Sequence, residues 1–231
     1  MEVTTIKIDH IPAVLYGASS DRVYLFVHGK NGYKEEAAGL AGAACARGWQ
    51  VLSVDLPEHG ERRQENECFD PWHAVPELKK VMHYIRQRWS RVRLRANSLG
   101  AWFSMLSCKE EPLEKCLFVS PVLDREQLIR DMMTWASVTE DELEQKKTIP
   151  TEFGETLSWE YLLYAKEHRI TGWDIPTEIL YAGRDNLTGR STVDAFVETS
   201  GAGLTVMENG EHWFHTPEQL GVLSHWEKEM M

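Results

Sequence analysis

Residues 4–9 and 11–16 read as the two strands of a hairpin, and the apolar run at 23–27 reads as a buried strand that ends in His28 and Gly29. From there the pattern alternates. Residues 37–47 are rich in small side chains and predict a helix stopped by Gly48, and 50–54 is a short strand ending at Asp55. Leu78, Val81, Met82, Ile85 and Trp89 recur at helical spacing within 75–89, followed by a strand at 91–96 and a helix at 99–108. A strand at 116–119 stops at Ser120 and Pro121, and two more strands fall at 178–181 and 204–207, with helices in the gaps. Strands separated by helical segments of ten or more residues imply right-handed crossovers and a mainly parallel sheet covered on both faces. The expected fold class is α/β, in one domain.

The segment 124–169 breaks the rhythm. It shows no strand signal and is much longer than a crossover needs. It holds 11 acidic and 6 basic side chains together with Trp135, Phe153, Trp159, Tyr161 and Tyr164. An acidic exterior with aromatic residues to bury predicts a small helical cap over a pocket, beside the plainer possibility of a surface helical pair.

Composition narrows the partners. The 231 residues are 42% hydrophobic with a formal charge of −11, the wrong sign for binding a phosphate backbone, so nucleic acid is not an expected partner. No apolar run approaches the roughly 20 residues that span a bilayer, and the N-terminal residues lack the basic and apolar stretches of an export signal, so a cytoplasmic protein without a membrane partner is expected. Cys45, Cys68, Cys108 and Cys116 have no zinc-type spacing and read as buried thiols. No HExxH or comparable cluster is present, so neither a metal nor a cofactor is expected.

The candidate chemistry sits at strand ends. Ala96-Asn97-Ser98-Leu99-Gly100 lies between a predicted strand and a predicted helix, where a nucleophilic serine can occupy a sharp turn if the residues two before and two after it are small. Such a serine needs a base, an orienting acid and an oxyanion hole. Asp185 follows the strand at 178–181 and His212 follows the strand at 204–207, giving the chain order Ser, Asp, His. His215 is the rival of His212 in the same loop, His225 falls in a predicted C-terminal helix, and Asp124 is the alternative acid.

Together with His28-Gly29-Lys30 and Asp55-Leu56-Pro57-Glu58-His59-Gly60, these runs make the sequence resemble the α/β-hydrolase superfamily over nearly its whole length. The resemblance implies Ser98, Asp185 and His212 as catalytic residues, backbone N–H groups of Lys30 and Leu99 as the oxyanion hole, and turn-shaping roles for His28 and His59. It implies a serine hydrolase acting on a small or medium acyl ester. Thioesterase, peptidase and acyltransferase chemistry use the same parts, and a binding or sensing protein on the same scaffold is the alternative of another class. Trp135, Phe153, Trp159 and Trp213 are the candidates to line the substrate pocket.

Two features depart from the superfamily pattern. Ala96 stands where a glycine is usual, which keeps the steric logic. Arg91, Arg93 and Arg95 alternate through a strand that should be central, so Arg93 or Arg95 is expected to meet an acidic partner or reach solvent, with Arg95 also a candidate to meet an anionic substrate group.

Overall fold

The computed structural model describes residues 1–64 and 68–231. Among the described residues ten strands form: β1 (Val3–Ile8), β2 (Ile11–Tyr16), β3 (Arg22–Val27), β4 (Gln50–Val54), β5 (Arg91–Asn97), β6 (Lys115–Val119), β7 (Thr148–Pro150), β8 (Thr156–Ser158), β9 (Thr177–Ala182) and β10 (Gly203–Met207). Eight of them build one sheet in the order β1-β2-β4-β3-β5-β6-β9-β10. The β1–β2 hairpin joins it antiparallel, and every pairing from β4 to β10 is parallel.

The period of two along the strands decides which helices lie on which face. Val23, Leu25, Leu94, Ala96, Phe118 and Ile179 point to the face covered by α2 (Pro71–Arg86), α3 (Ser98–Cys108) and α7 (Arg190–Ser200). Their alternates Tyr24, Phe26, Leu117 and Leu180 point to the face covered by α1 (Ala38–Cys45) and α8 (Pro217–Met230). α2 begins earlier than the apolar spacing suggested. Asp70 accepts a hydrogen bond from the His73 N–H at 3.0 Å, and Pro71 opens the helix where its missing N–H costs nothing.

The arginines of β5 all fall on the α1/α8 face, opposite Val92, Leu94 and Ala96, and each is answered. Glu114 receives Arg91 at 3.0 Å and Arg93 at 3.3 Å, while Arg93 also donates to the Tyr24 hydroxyl at 3.0 Å. The Arg93 guanidinium lies 4.3 Å from the Trp49 ring centroid, a cation–π contact. Arg95 is fully buried, donates from Nε to Glu227 of α8 at 2.9 Å and from Nη1 to the Asn97 side chain. The expected acidic partners are therefore present. An anionic substrate group beside Arg95 is not compatible with this arrangement, because Glu227 already takes its charge.

The segment 124–169 differs from the expected all-helical cap. It contains α4 (Arg125–Trp135), α5 (Glu140–Lys146) and α6 (Trp159–Glu167), with β7 and β8 paired as a small hairpin between α5 and α6. Each of these strands is three residues long, with Ile149 opposite Leu157 as its only inward pair, too short for alternation to register in the sequence. The cysteines also divide. Cys108 and Cys116 are buried, and burial pushes the Cys108 thiol up to about 12, so it is unreactive. Cys45 is half-buried and Cys68 is exposed, because it lies in the loop ahead of α2 and not on a packed face.

Removing one partner of the Arg95–Glu227 pair strands a charge that cannot be neutralised cheaply. Glu227→Ala is expected to lower unfolding free energy by about 3 to 5 kcal/mol, and the double substitution Arg95→Met with Glu227→Met to restore most of it. Urea denaturation of the three proteins measures this; equal loss in the single and double variants would contradict it.

Candidate active site

The turn from β5 into α3 has no loop residue: Asn97 ends the strand and Ser98 begins the helix. Ser98 takes a left-handed backbone, φ 48°, a costly conformation for a residue with a Cβ. The tight turn is possible because α3 passes directly over the end of β3. A Cβ on Gly100 would sit 2.2 Å from the carbonyl oxygen of His28, and one on Gly29 would sit 3.0 Å from the Ser98 Cβ. Ala96 is fully buried beneath the turn.

Three distant loops meet above this point. The Ser98 hydroxyl lies 2.8 Å from Nε2 of His212, and Nδ1 of His212 lies 2.7 Å from Oδ2 of Asp185. A carboxylate only accepts, so Nδ1 carries the imidazole proton and Nε2 accepts from Ser98. The Asp185 side chain is fully buried, and its other oxygen receives the N–H groups of Leu187 at 2.8 Å and Thr188 at 3.0 Å. Those bonds fix the carboxylate before any partner is considered. The Asp185 loop itself is tied to β6, because the Thr188 hydroxyl donates to the Pro121 carbonyl at 3.0 Å.

The loop after β3 is held by two neutral histidines. His28 Nδ1–H donates to the Gly29 carbonyl at 2.7 Å, and its Nε2 accepts from the Leu56 N–H at 3.0 Å. His59 repeats the arrangement, donating to the Pro57 carbonyl at 2.7 Å and accepting from the Asn31 N–H at 2.7 Å. Lys30 is thereby pinned on both sides, at Gly29 and at Asn31. Both rings need one bare nitrogen, and burial pushes His28 down to about 4 and lowers His59 as well. Asp55 anchors the same loop from below, accepting from the Lys34 N–H and ammonium, each at 2.8 Å. The Lys30 side chain leaves the loop to pair with Glu155, between β7 and β8. The Leu99 amide lies in the first turn of α3, where helix geometry supplies no internal acceptor.

The rival residues sit elsewhere. Asp124 caps α4, accepting from the Gln127 N–H at 2.9 Å. His215 donates to the Trp213 carbonyl at 2.7 Å, and His225 pairs with Glu229 on the exposed side of α8. Among the pocket candidates, Trp135 and Phe153 are exposed and pack edge to face on each other at 6.0 Å. Trp159 lies under the ammonium groups of Lys147 and Lys166, and Trp213 is 74% exposed beside His212, stacked on His215. Trp102 of α3 is met by aromatic residues of α6, Tyr161 at 6.1 Å and Tyr164 at 6.2 Å, and both of these also pack on Trp72 of α2. Trp102 escaped the sequence reading, although it follows Ser98 by one helical turn and so shares its face. Arg125, the first residue of α4, is buried although its charge predicts exposure. Among the described residues there is no cluster of three or more histidine, cysteine or acidic side chains suited to a metal ion, and no helix long and apolar enough to cross a membrane.

No protein-family model and no curated protein sequence matches this chain. Solved structures do. Est1E from Butyrivibrio proteoclasticus, with ferulic acid bound, aligns at TM-score 0.77 and 17% identity over 98% of this chain and 96% of its own. Mouse alpha/beta hydrolase domain-containing protein 10 aligns at TM-score 0.74 and 13% identity over 99% and 98%. A monoacylglycerol lipase from Paleococcus ferrophilus aligns at TM-score 0.67 and 14% identity over 100% of both chains. The fold is that of the α/β-hydrolases.

The buried imidazole of His28 makes stability depend on pH. Its native value lies near 4 against 6.5 when exposed, so the unfolded chain binds the extra proton in between. The contribution is fully present above pH 6.5, is lost as pH falls towards 4, and amounts to about 3 kcal/mol. Denaturation from pH 7.5 to 4 should show a shallower decline for His28→Asn than for the native protein; parallel declines would contradict the assignment.

Proposed function

We propose that the protein is a serine hydrolase that cleaves a small or medium acyl ester through an acyl-enzyme. The observation that carries this reading is the unbroken hydrogen-bonded line from Ser98 through His212 to Asp185 at the mouth of a strained turn. Ser98 Oγ attacks the ester carbonyl as its proton passes to His212 Nε2, and Asp185 balances the imidazolium that forms. The backbone N–H groups of Lys30 and Leu99, with the N-terminus of α3 behind them, receive the developing oxyanion. Collapse expels the alcohol, which takes the proton from His212. Water then attacks the acyl-enzyme, again losing its proton to His212, and the acid leaves while Ser98 is regenerated.

The matched structures lend support of a coarser kind, since one holds ferulic acid and another is a monoacylglycerol lipase. A purely binding role would require none of the three aligned side chains, nor the strain stored at Ser98.

Labelling with a fluorophosphonate probe tests the central claim, because only an activated serine reacts. Ser98→Ala should abolish labelling and lower p-nitrophenyl ester hydrolysis by on the order of a millionfold while the fold survives. Labelling that persists in the pure variant would move the chemistry elsewhere. Asp185→Asn should lower kcat by about four orders of magnitude by holding the imidazole in the wrong tautomer, whereas Asp124→Asn should cost only a helix cap. Kinetics of both at saturating substrate separate the two carboxylates, and a larger loss at Asp124 would reject the assignment.

A further inference from the structure

The cap is rich in charge, and its cations are almost all spoken for. Arg130 and Arg169 hold Glu126, Arg130 and Lys166 hold Glu140, and Lys146 holds Glu142. Arg125 is the exception that is also buried. It is 8% exposed, its Nε is sealed from solvent with no hydrogen-bond partner, and among the described residues no carboxylate takes its charge. The acids on either side of it are engaged, Asp124 in capping α4 and Glu126 with Arg130 and Arg169. The Arg125 guanidinium instead lies 4.6 Å from the centroid of the Tyr161 ring, and the Tyr161 hydroxyl is likewise buried, with the Arg125 side chain beside it and no hydrogen bond of good geometry. Burial raises the Tyr161 phenol, against a smaller pull from Arg125, so it keeps its proton as a donor.

Both residues belong to the wall of the cap that faces the start of α3. The Val122 N–H, three residues before Arg125, donates to the Ser98 carbonyl at 3.1 Å. The Tyr161 ring packs on Trp102, one helical turn past Ser98. An arginine cannot shed its charge, and burying it without an acceptor is costly. Two neighbouring donors with no carboxylate to receive them, one of them a planar cation, are complementary to an oxyanion with several free lone pairs.

We propose that Arg125 and the Tyr161 hydroxyl bind a carboxylate carried by the substrate, so that the ester cleaved at Ser98 is itself an acidic molecule. This rests on the serine hydrolase reading above and names its substrate class. The fork of the guanidinium receives the two carboxylate oxygens, and the phenol donates to one of them. The overall charge of −11 opposes the approach of an anion at long range, so selection for it has to be made by this local pair.

Two matched substrate pairs test the proposal. Mono-p-nitrophenyl glutarate against p-nitrophenyl pentanoate reads a carboxylate on the acyl side, and 4-acetoxybenzoate against phenyl acetate reads one on the alcohol side. In the native protein the charged member of one pair should have the higher kcat/KM. Arg125→Gln should reduce that charged-to-neutral ratio by roughly 10- to 100-fold, Arg125→Lys should restore part of it, and Tyr161→Phe, which removes a single hydroxyl, should reduce it by a few-fold. Calorimetric binding of glutarate, weakened in the same order, reads the site without turnover. Absence of any preference for the charged esters together with no glutarate binding would overturn the proposal, as would equal losses on charged and neutral partners. If Ser98 fails to label and no ester is turned over, the hydrolase reading falls, while glutarate binding still decides whether Arg125 and Tyr161 hold a carboxylate.

Discussion

The junction at Asn97 and Ser98 turns a strand into a helix without a loop, and the surrounding structure is arranged to make that turn tolerable. A left-handed backbone at a serine persists only when its neighbours over-determine it. Here α3 presses on the end of β3 at a distance that only glycine permits at position 100, and the Val122 N–H takes the Ser98 carbonyl from the β6 side. The Asn97 side chain is held by Arg95, which in turn is held by Glu227 on α8. Strain at one residue is therefore distributed into the sheet, the helix behind it and the strand end beside it.

That coupling gives a physical reason for the arginines of the central strand. A sheet covered on both faces usually carries apolar residues throughout, yet β5 places three guanidiniums on one face. Their cost is offset by Glu114, Tyr24 and Glu227, and one of them, Arg95, reaches the residue just before Ser98. Opposite it, the loop after β3 relies on uncharged imidazoles, because each of His28 and His59 must offer both a donor and an acceptor. One side of the site is organised by guanidinium–carboxylate pairs and the other by neutral imidazoles above the buried Lys34–Asp55 pair.

The segment 124–169 joins these two sides. Lys30, between the residues pinned by the histidines, pairs with Glu155 between β7 and β8, and the Tyr161 ring packs at a tilt against Trp102 on α3. Its outer surface is a lattice of acid–base pairs, which water and salt weaken, whereas its inner wall keeps one arginine apart from that lattice. Recognition would then depend on what the cap withholds from its own carboxylates.

The order of elements, the α/β class and the residues of the candidate relay were legible in the sequence, because each rests on a local pattern: apolar runs for buried strands, helical spacing, and small residues flanking Ser98. The Ser, Asp, His order carried enough information to pair loops separated by more than a hundred residues. Other features were not legible, since they depend on which faces meet. Whether Arg95 looked at solvent, substrate or α8 was decided by the side of β5 that α8 covers, and the short β7–β8 hairpin formed only through cross-strand pairing that three-residue segments cannot announce. The contacts of Trp102 and Arg125 with Tyr161 likewise exist only because 124–169 folds back against α3. Periodicity records what a residue's own element does with it, but the partner that satisfies or strands a charge is supplied by tertiary packing.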